Sequence, residues 1–270
     1  MEQEEYKEFL RQQNIRIREN INRIKHRIVV FSGKGGVGKT SVSVNLACAL
    51  SDMGETTGLV DADVTGPNVS IMTGMKSYLE SSDSRIVPCE RKNLKAVSFA
   101  GMIPDGEAVI WRGPMRSKLL NSFLADVEWG SLNYLIADLP PGTGDEIMTI
   151  TEKMNPELAL IVTTPQEVSL IDSERAINMA RKLKIPRIAL IENMAGLICP
   201  KCGELINLFG CGGGIKQAKK MNTEFFGSVP IVPEFRVLAD IGKPIVWENP
   251  ESAVSKIFFE LADIIRISMN

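Results

Sequence analysis

No stretch of this sequence approaches the roughly 18–20 consecutive apolar residues that a membrane-spanning helix needs. No signal peptide is expected from the first twenty residues, MEQEEYKEFLRQQNIRIREN, which are charged throughout and have no apolar centre. Charge of one sign is also lacking. The 31 Lys and Arg stand against 33 Asp and Glu, a formal net charge of −2, so no field favours nucleic acid or an anionic membrane as a partner. Histidine is almost absent, and the one present, His26, reads as a surface residue ahead of the first strand rather than as a catalyst. The 5 cysteines are an odd number without a secretory signal, which points to metal or thiol chemistry rather than a disulfide framework. A cytoplasmic protein with no membrane or nucleic-acid partner is expected.

What is present is an alternation of apolar runs and helical patterns. Runs at 27–32, 56–63, 95–100, 133–139, 158–164, 187–193 and 225–231 are continuously apolar, as strands covered on both faces are. Helices fit between them at 39–53, 114–126, 143–154 and 167–184, which predicts an α/β fold with a doubly wound, mostly parallel sheet of about seven or eight strands. Residues 1–25 read as a polar helix with one apolar stripe, Leu10, Ile17, Ile21 and Ile24, packed on its own domain or held out as a docking arm. With no repeat, linker or internal boundary, residues 26–270 are expected to form one domain. Near the C-terminus, Val254, Ile257, Phe258, Leu261, Ala262 and Ile265 mark a core-facing helix; a membrane-surface helix would carry a Lys/Arg-rich polar face.

The strongest signal is FSGKGGVGKTS, residues 31–41. Gly33-x4-Gly38-Lys39-Thr40 is a P-loop pattern placed between an apolar strand and a helix. Glycines let the backbone N–H groups of residues such as Gly35, Gly36, Val37 and Ser41 converge on phosphate oxygens, and the helix start adds its positive dipole end. Lys39 is expected at the β/γ-phosphates of ATP and the Thr40 hydroxyl on Mg2+. Two further strands end in carboxylates, where an open α/β sheet faces its ligand. Asp138, in a segment like a Walker B, would hold the Mg2+ shell; Asp63 would orient the attacking water; Asp61 either supports them or caps the next helix.

GKGGVGKT resembles the deviant P-loop of the MinD/ParA/nitrogenase-iron-protein class. That resemblance implies a MinD-like P-loop NTPase fold and an ATP-sandwich homodimer, with Lys34 reaching the partner's nucleotide. It also implies that Asn193, ending another strand, bonds the base, with Pro233 and Glu234 beside it, although a structural turn fits the last two equally.

Cys48 reads as a small buried hydrophobe, and Cys89 has no partner spacing. Cys199-Pro200-Lys201-Cys202 is a C-x2-C, a spacing shared by zinc knuckles, redox pairs and iron–sulfur ligands. Two thiolates per chain in a homodimer make the four that tetrahedral Zn2+ or a [4Fe–4S] cluster takes. Cys211 is either a third ligand or a loop cysteine. Together GKGGVGKT, DADVTGPN, DLPPGTGD, ENMAG, CPKCG, FGCGGGI and VLADIGKPIV resemble the Mrp/ApbC family of ATP-binding iron–sulfur cluster carriers over roughly residues 27–247. The resemblance implies slow ATP hydrolysis, a [4Fe–4S] cluster bridged between two copies, and apo iron–sulfur proteins as recipients. The four-cysteine ferredoxin-like segment of eukaryotic cytosolic relatives is not matched, so no stable cluster is expected in the N-terminal region. A MinD- or ParA-like positioning ATPase has no use for the cysteine pair; a structural-zinc dimer does.

Overall fold

The architecture is that of a computed structural model, which describes residues 2–64, 66–75, 81–82, 85–102, 113–142, 144–199 and 201–270. Thr143 after Asp138 and Pro200 within the cysteine motif lie outside the described residues. The first half of the chain gives α1 (Glu2–Ile21), β1 (Ile24–Phe31), α2 (Lys39–Asp52), β2 (Thr57–Asp61) and α3 (Val69–Thr73). Next come the two-residue strands β3 (Ser81–Ser82) and β4 (Arg85–Ile86), then β5 (Cys89–Arg91), β6 (Leu94–Val97), a 3-10 turn at Phe99–Met102 and α4 (Gly113–Ala125). The second half gives β7 (Leu132–Asp138), α5 (Asp145–Met154), β8 (Leu158–Thr163), α6 (Glu167–Lys182), β9 (Arg187–Ile198) and β10 (Leu205–Ile206). It closes with α7 (Gly213–Lys220), β11 (Glu224–Ile231), α8 (Pro233–Asp240), α9 (Ile245–Glu248) and α10 (Ala253–Met269).

The main sheet has nine strands in the order β10-β9-β8-β1-β7-β2-β6-β5, with β11 also paired to β9. The seven expected strands all form and pair in parallel. The two additions, β5 and β10, are antiparallel edge strands of three and two residues. Strands that short carry no periodicity to read. Alternate β1 residues enter opposite cores: Val29 and Phe31 join α1, α4, α5, α6 and α7 on one face, Ile28 and Val30 join α2, α9 and α10 on the other.

In α10, Val254, Phe258, Leu261, Ala262 and Ile265 are all buried, each worth about 1.5–3 kcal/mol relative to exposure for the larger side chains. Among the described residues no helix is long and apolar enough to cross a membrane. The N-terminal helix packs on its own chain: Ile17 and Ile21 are buried, Arg16 pairs with Asp126 at 3.0 Å, and Asn20 Nδ2 donates to the Leu124 and Ala125 carbonyls at the end of α4.

One sequence expectation fails here. His26 is not a surface residue ahead of the first strand but lies inside β1, 6% exposed, stacked on Tyr134 with its Nδ1 3.3 Å from Glu157 Oε2. Because α1 ends at Ile21, a two-residue turn feeds the strand from Ile24, earlier than the apolar run at 27 announces.

Candidate nucleotide and metal site

Strand order reverses around β1, whose neighbours are β7 and β8, and the crevice beyond the strand ends at such a point is where open α/β sheets take ligands. The parallel register brings Val30 beside Asp138 and Asp138 beside Asp61. Residues 33–38 turn between β1 and α2, with the Ser32 hydroxyl donating to the Lys34 carbonyl at 2.7 Å. Gly38, the residue before α2, has φ +78, and a Cβ there would stand 2.2 Å from Asn193 Nδ2. That space lets Asn193 donate to the Val37 carbonyl at 2.8 Å, so β9 braces the loop directly.

Asp138 is fully buried at the end of β7. Its Oδ2 accepts from Thr40 Oγ1 at 2.7 Å and its Oδ1 from Ser43 Oγ at 2.7 Å. Lys39 Nζ stands 2.8 Å from the same Oδ2, but off the line of a hydrogen bond, and the buried ammonium has no hydrogen-bond partner. A buried cation with unused donors at the floor of a glycine loop fits an anionic ligand such as a phosphate. Asp61 is equally buried. It accepts from Ser98 Oγ at 2.7 Å and from the backbone N–H groups of Val69 and Asp63, the first of which opens α3; the helix-capping reading is the one its geometry supports. Burial, and then the charge of Asp138, push the Asp61 carboxyl up to about 7.

A cavity of about 760 Å3 opens over this cradle. Gly35, Gly36, Val37, Gly38, Lys39, Thr40, Ser41, Asp63 and Asn193 line it, and Lys34 does not. Its apolar wall comes from Ile71 and Met72 of α3, Ile231 and Phe235, and Leu208 and Phe209 beyond β10. Pro233 and Glu234 are not on the lining: Pro233 begins α8, and Glu234 accepts from Asn249 at 3.4 Å, while Pro230, Val232 and Arg236 face the cavity. A slightly larger cavity of about 840 Å3 lies under α1 at the other ends of β6 and β7. It has no glycine loop, and its Arg16 and Arg85 are paired to Asp126 and Glu128.

The cysteine pair follows β9. Its turn is closed by Cys199 N–H donating to the Glu204 carbonyl and Gly203 N–H to the Cys199 carbonyl, both at 2.9 Å, after which β10 runs back along Leu197 and Ile198. Cys199 is half-buried and Cys202 exposed. Backbone N–H groups of Cys202, then Lys201, aim at the Cys199 sulfur and hold its thiol below the usual range. Among the described residues no three His, Cys, Asp or Glu come together to hold a metal. Cys211 is exposed and lines a separate cavity with Gln166 and Lys216, while Cys48 is buried in α2 as expected.

Residues 23–266 match the ParA family in the form described as an NUBPL iron-transfer P-loop NTPase. A protein of Pyrococcus horikoshii called an iron-sulfur cluster carrier protein is 44% identical over 92% of this chain and 88% of its own. The one of Methanocaldococcus jannaschii, with the same name, is 47% identical over 89% and 84%. This chain belongs to the iron-transfer P-loop NTPase family. The resemblance read from its motifs is thereby borne out. Among solved structures, a nucleotide-binding protein of Archaeoglobus fulgidus in complex with ADP, with cobalt found by PIXE, superimposes with a TM-score of 0.77 at 35% identity, covering 91% of this chain and 96% of its own. The cell division ATPase MinD of Pyrococcus furiosus gives 0.70 at 23% identity, covering 90% and 99%, a likeness of fold.

Within this family frame the motifs left four contributors unnamed. Ser43 and Ser98 hold the two buried carboxylates, and Leu208 with Phe209 walls the cavity. Nothing local in the sequence ties a serine in α2 to an aspartate 95 residues away.

Proposed function

We propose that this chain binds and slowly hydrolyses ATP as a homodimer that assembles, carries and hands over a [4Fe–4S] cluster bridged between its two copies. The observation that carries the reading is the coexistence, in one chain, of a braced phosphate cradle and half a thiolate site: Lys39 is buried with unused donors, and Cys199 and Cys202 stand open with no third ligand among the described residues. Lys39 would meet the β/γ-phosphates, and Thr40 with Asp138 would hold Mg2+, which when bound neutralises phosphate charge. Asp63, on the cavity wall, would orient the attacking water, and Asn193 would face the base. Pro233 and Glu234 would border the base only if α8 turns from its present position. Lys34, off the lining of its own cavity, is suited to reach the nucleotide of the second copy.

Two thiolates from each copy make four. The cluster is cargo, passed to apo iron–sulfur proteins in the cytoplasm, where thiols stay reduced. A dimer held by structural zinc is the second reading, because backbone N–H groups that favour a Cys199 thiolate favour either metal. The test is iron, sulfide and zinc analysis of anaerobically prepared protein beside Cys202→Ala, with native mass for both. Iron with sulfide in the wild type, lost almost completely in the variant while ATP hydrolysis persists, is expected. Zinc without sulfide would move the conclusion to the second reading.

A further inference from the structure

Ser43 lies one helical turn beyond Lys39, fully buried, with its Oγ 2.7 Å from Asp138 Oδ1 and 3.1 Å from the Lys39 carbonyl. A hydroxyl has one proton to donate, and a carboxylate acceptor makes a bond roughly twice as strong as a neutral carbonyl does. The proton therefore belongs to Asp138. The other carboxylate oxygen is met by Thr40 and Lys39. These neighbours differ in one respect. Lys39 and Thr40 line the cavity, so a bound Mg2+–nucleotide competes with Asp138 for both; Ser43 does not line it and keeps Asp138 whatever the cavity holds.

We propose that Ser43 is a positioning residue for the metal shell: it pins Oδ1 of Asp138, so that Oδ2 stays turned to the cavity when Lys39 and Thr40 engage the nucleotide. Without that hold, a fully buried carboxylate whose other donors have turned away is free to rotate, and Oδ2 loses its aim. Ser43 touches neither nucleotide nor metal in this account and acts only through Asp138. The inference rests on the Mg2+–ATP reading above and extends it to a side chain that the P-loop pattern does not include.

The experiment is a MgCl2 titration of mant-ATP binding, followed by fluorescence, for the wild type, Ser43→Ala and Ser43→Thr, with thermal midpoints for each. Removing a hydrogen bond to a charged group is expected to raise the Mg2+ concentration for half-maximal enhancement about tenfold in Ser43→Ala. Affinity without Mg2+ should stay within about twofold, and Ser43→Thr, which keeps the hydroxyl, should titrate like the wild type. A purely structural role would weaken Mg2+-free binding as well; a lower thermal midpoint is expected on either account, because Oδ1 of a buried carboxylate loses its donor. An unchanged Mg2+ midpoint in Ser43→Ala, or equal shifts in both variants, overturns the role of Ser43 and leaves the Mg2+–ATP reading standing. A wild type whose mant-ATP binding ignores Mg2+ overturns both.

Discussion

The nucleotide cradle and the cysteine hairpin are served by the same strand, yet they are built on opposite terms. β9 braces the phosphate loop through Asn193, and it ends at Ile198, one residue before Cys199. Between them the chain leaves the regular ladder: Met194 and Gly196 have φ of +58 and +85, and Val229 and Ile231 of β11, two residues apart, pair with Asn193 and Leu197, four apart. Such a bulge bends a strand out of its sheet. Before the bulge, the chemistry is buried: Asp138 and Asp61 are 0% exposed, and every oxygen has a donor from the same chain. Beyond it, Cys202 is exposed among Ile198, Leu205, Ile206 and Leu208, all more than a third exposed. A buried charge must be satisfied within its own fold or the fold is destabilised, whereas an exposed thiol is under no such constraint. The satisfied carboxylates of the cradle and the incomplete hairpin follow from that difference, and in the cradle it is Lys39 that keeps unused donors for a ligand.

The largest test of this contrast is stability without nucleotide. Asp138→Ala takes from the buried Lys39 the carboxylate it pairs with, a change that costs about 3–5 kcal/mol in buried pairs. For a chain of this length the melting midpoint should fall by roughly 6–20 °C. Cys202→Ala, at an exposed position, should stay within about 0.5 kcal/mol. Calorimetry on the two variants in nucleotide-free buffer decides it, and comparable losses would erase the distinction.

Much of the cradle was legible because a P-loop pattern specifies backbone geometry: glycines at fixed places between a strand and a helix leave few arrangements. The seven parallel strands were legible because burial on both faces writes a continuous apolar run. Legibility ended where partners come from far along the chain or elements are too short to show a period. Ser43 and Ser98 meet their aspartates only after folding, β5 and β10 have three and two residues, and the start of β1 at Ile24 hid the burial of His26.

Asp61 offers the next test, since its burial is a property of the cradle alone. In the folded protein it keeps its proton up to about pH 7, against an ordinary value of 3.8, so the folded state holds more protons in that window. Its contribution to stability is therefore full below pH 3.8 and declines as pH rises to about 7, at up to ~1.4 kcal/mol per unit. Asp61→Asn should flatten that part of the profile in melting curves taken from pH 4 to 8. A wild-type profile no steeper than the variant's would show that the carboxyl is ionised throughout.

The smallest effect expected comes from a matched pair of glycines. Gly38 in the cradle and Gly203 in the cysteine turn have nearly the same φ, +78 and +77, so an alanine at either meets left-handed strain of about 1–2 kcal/mol. Their surroundings differ. Nothing lies within 4 Å of a Cβ at Gly203, whereas one at Gly38 meets Asn193 Nδ2 at 2.2 Å and must break the bond that braces Val37. Gly203→Ala should then lower the melting midpoint by a few degrees and leave mant-ATP binding unchanged. Gly38→Ala should lower it further and weaken mant-ATP binding at least several-fold, because the loop loses its hold on β9. Equal midpoints with unaltered binding in both would mean that the Asn193 brace contributes nothing. A larger loss at Gly203 would mean that the hairpin, for all its exposure, is the more tightly determined of the two regions.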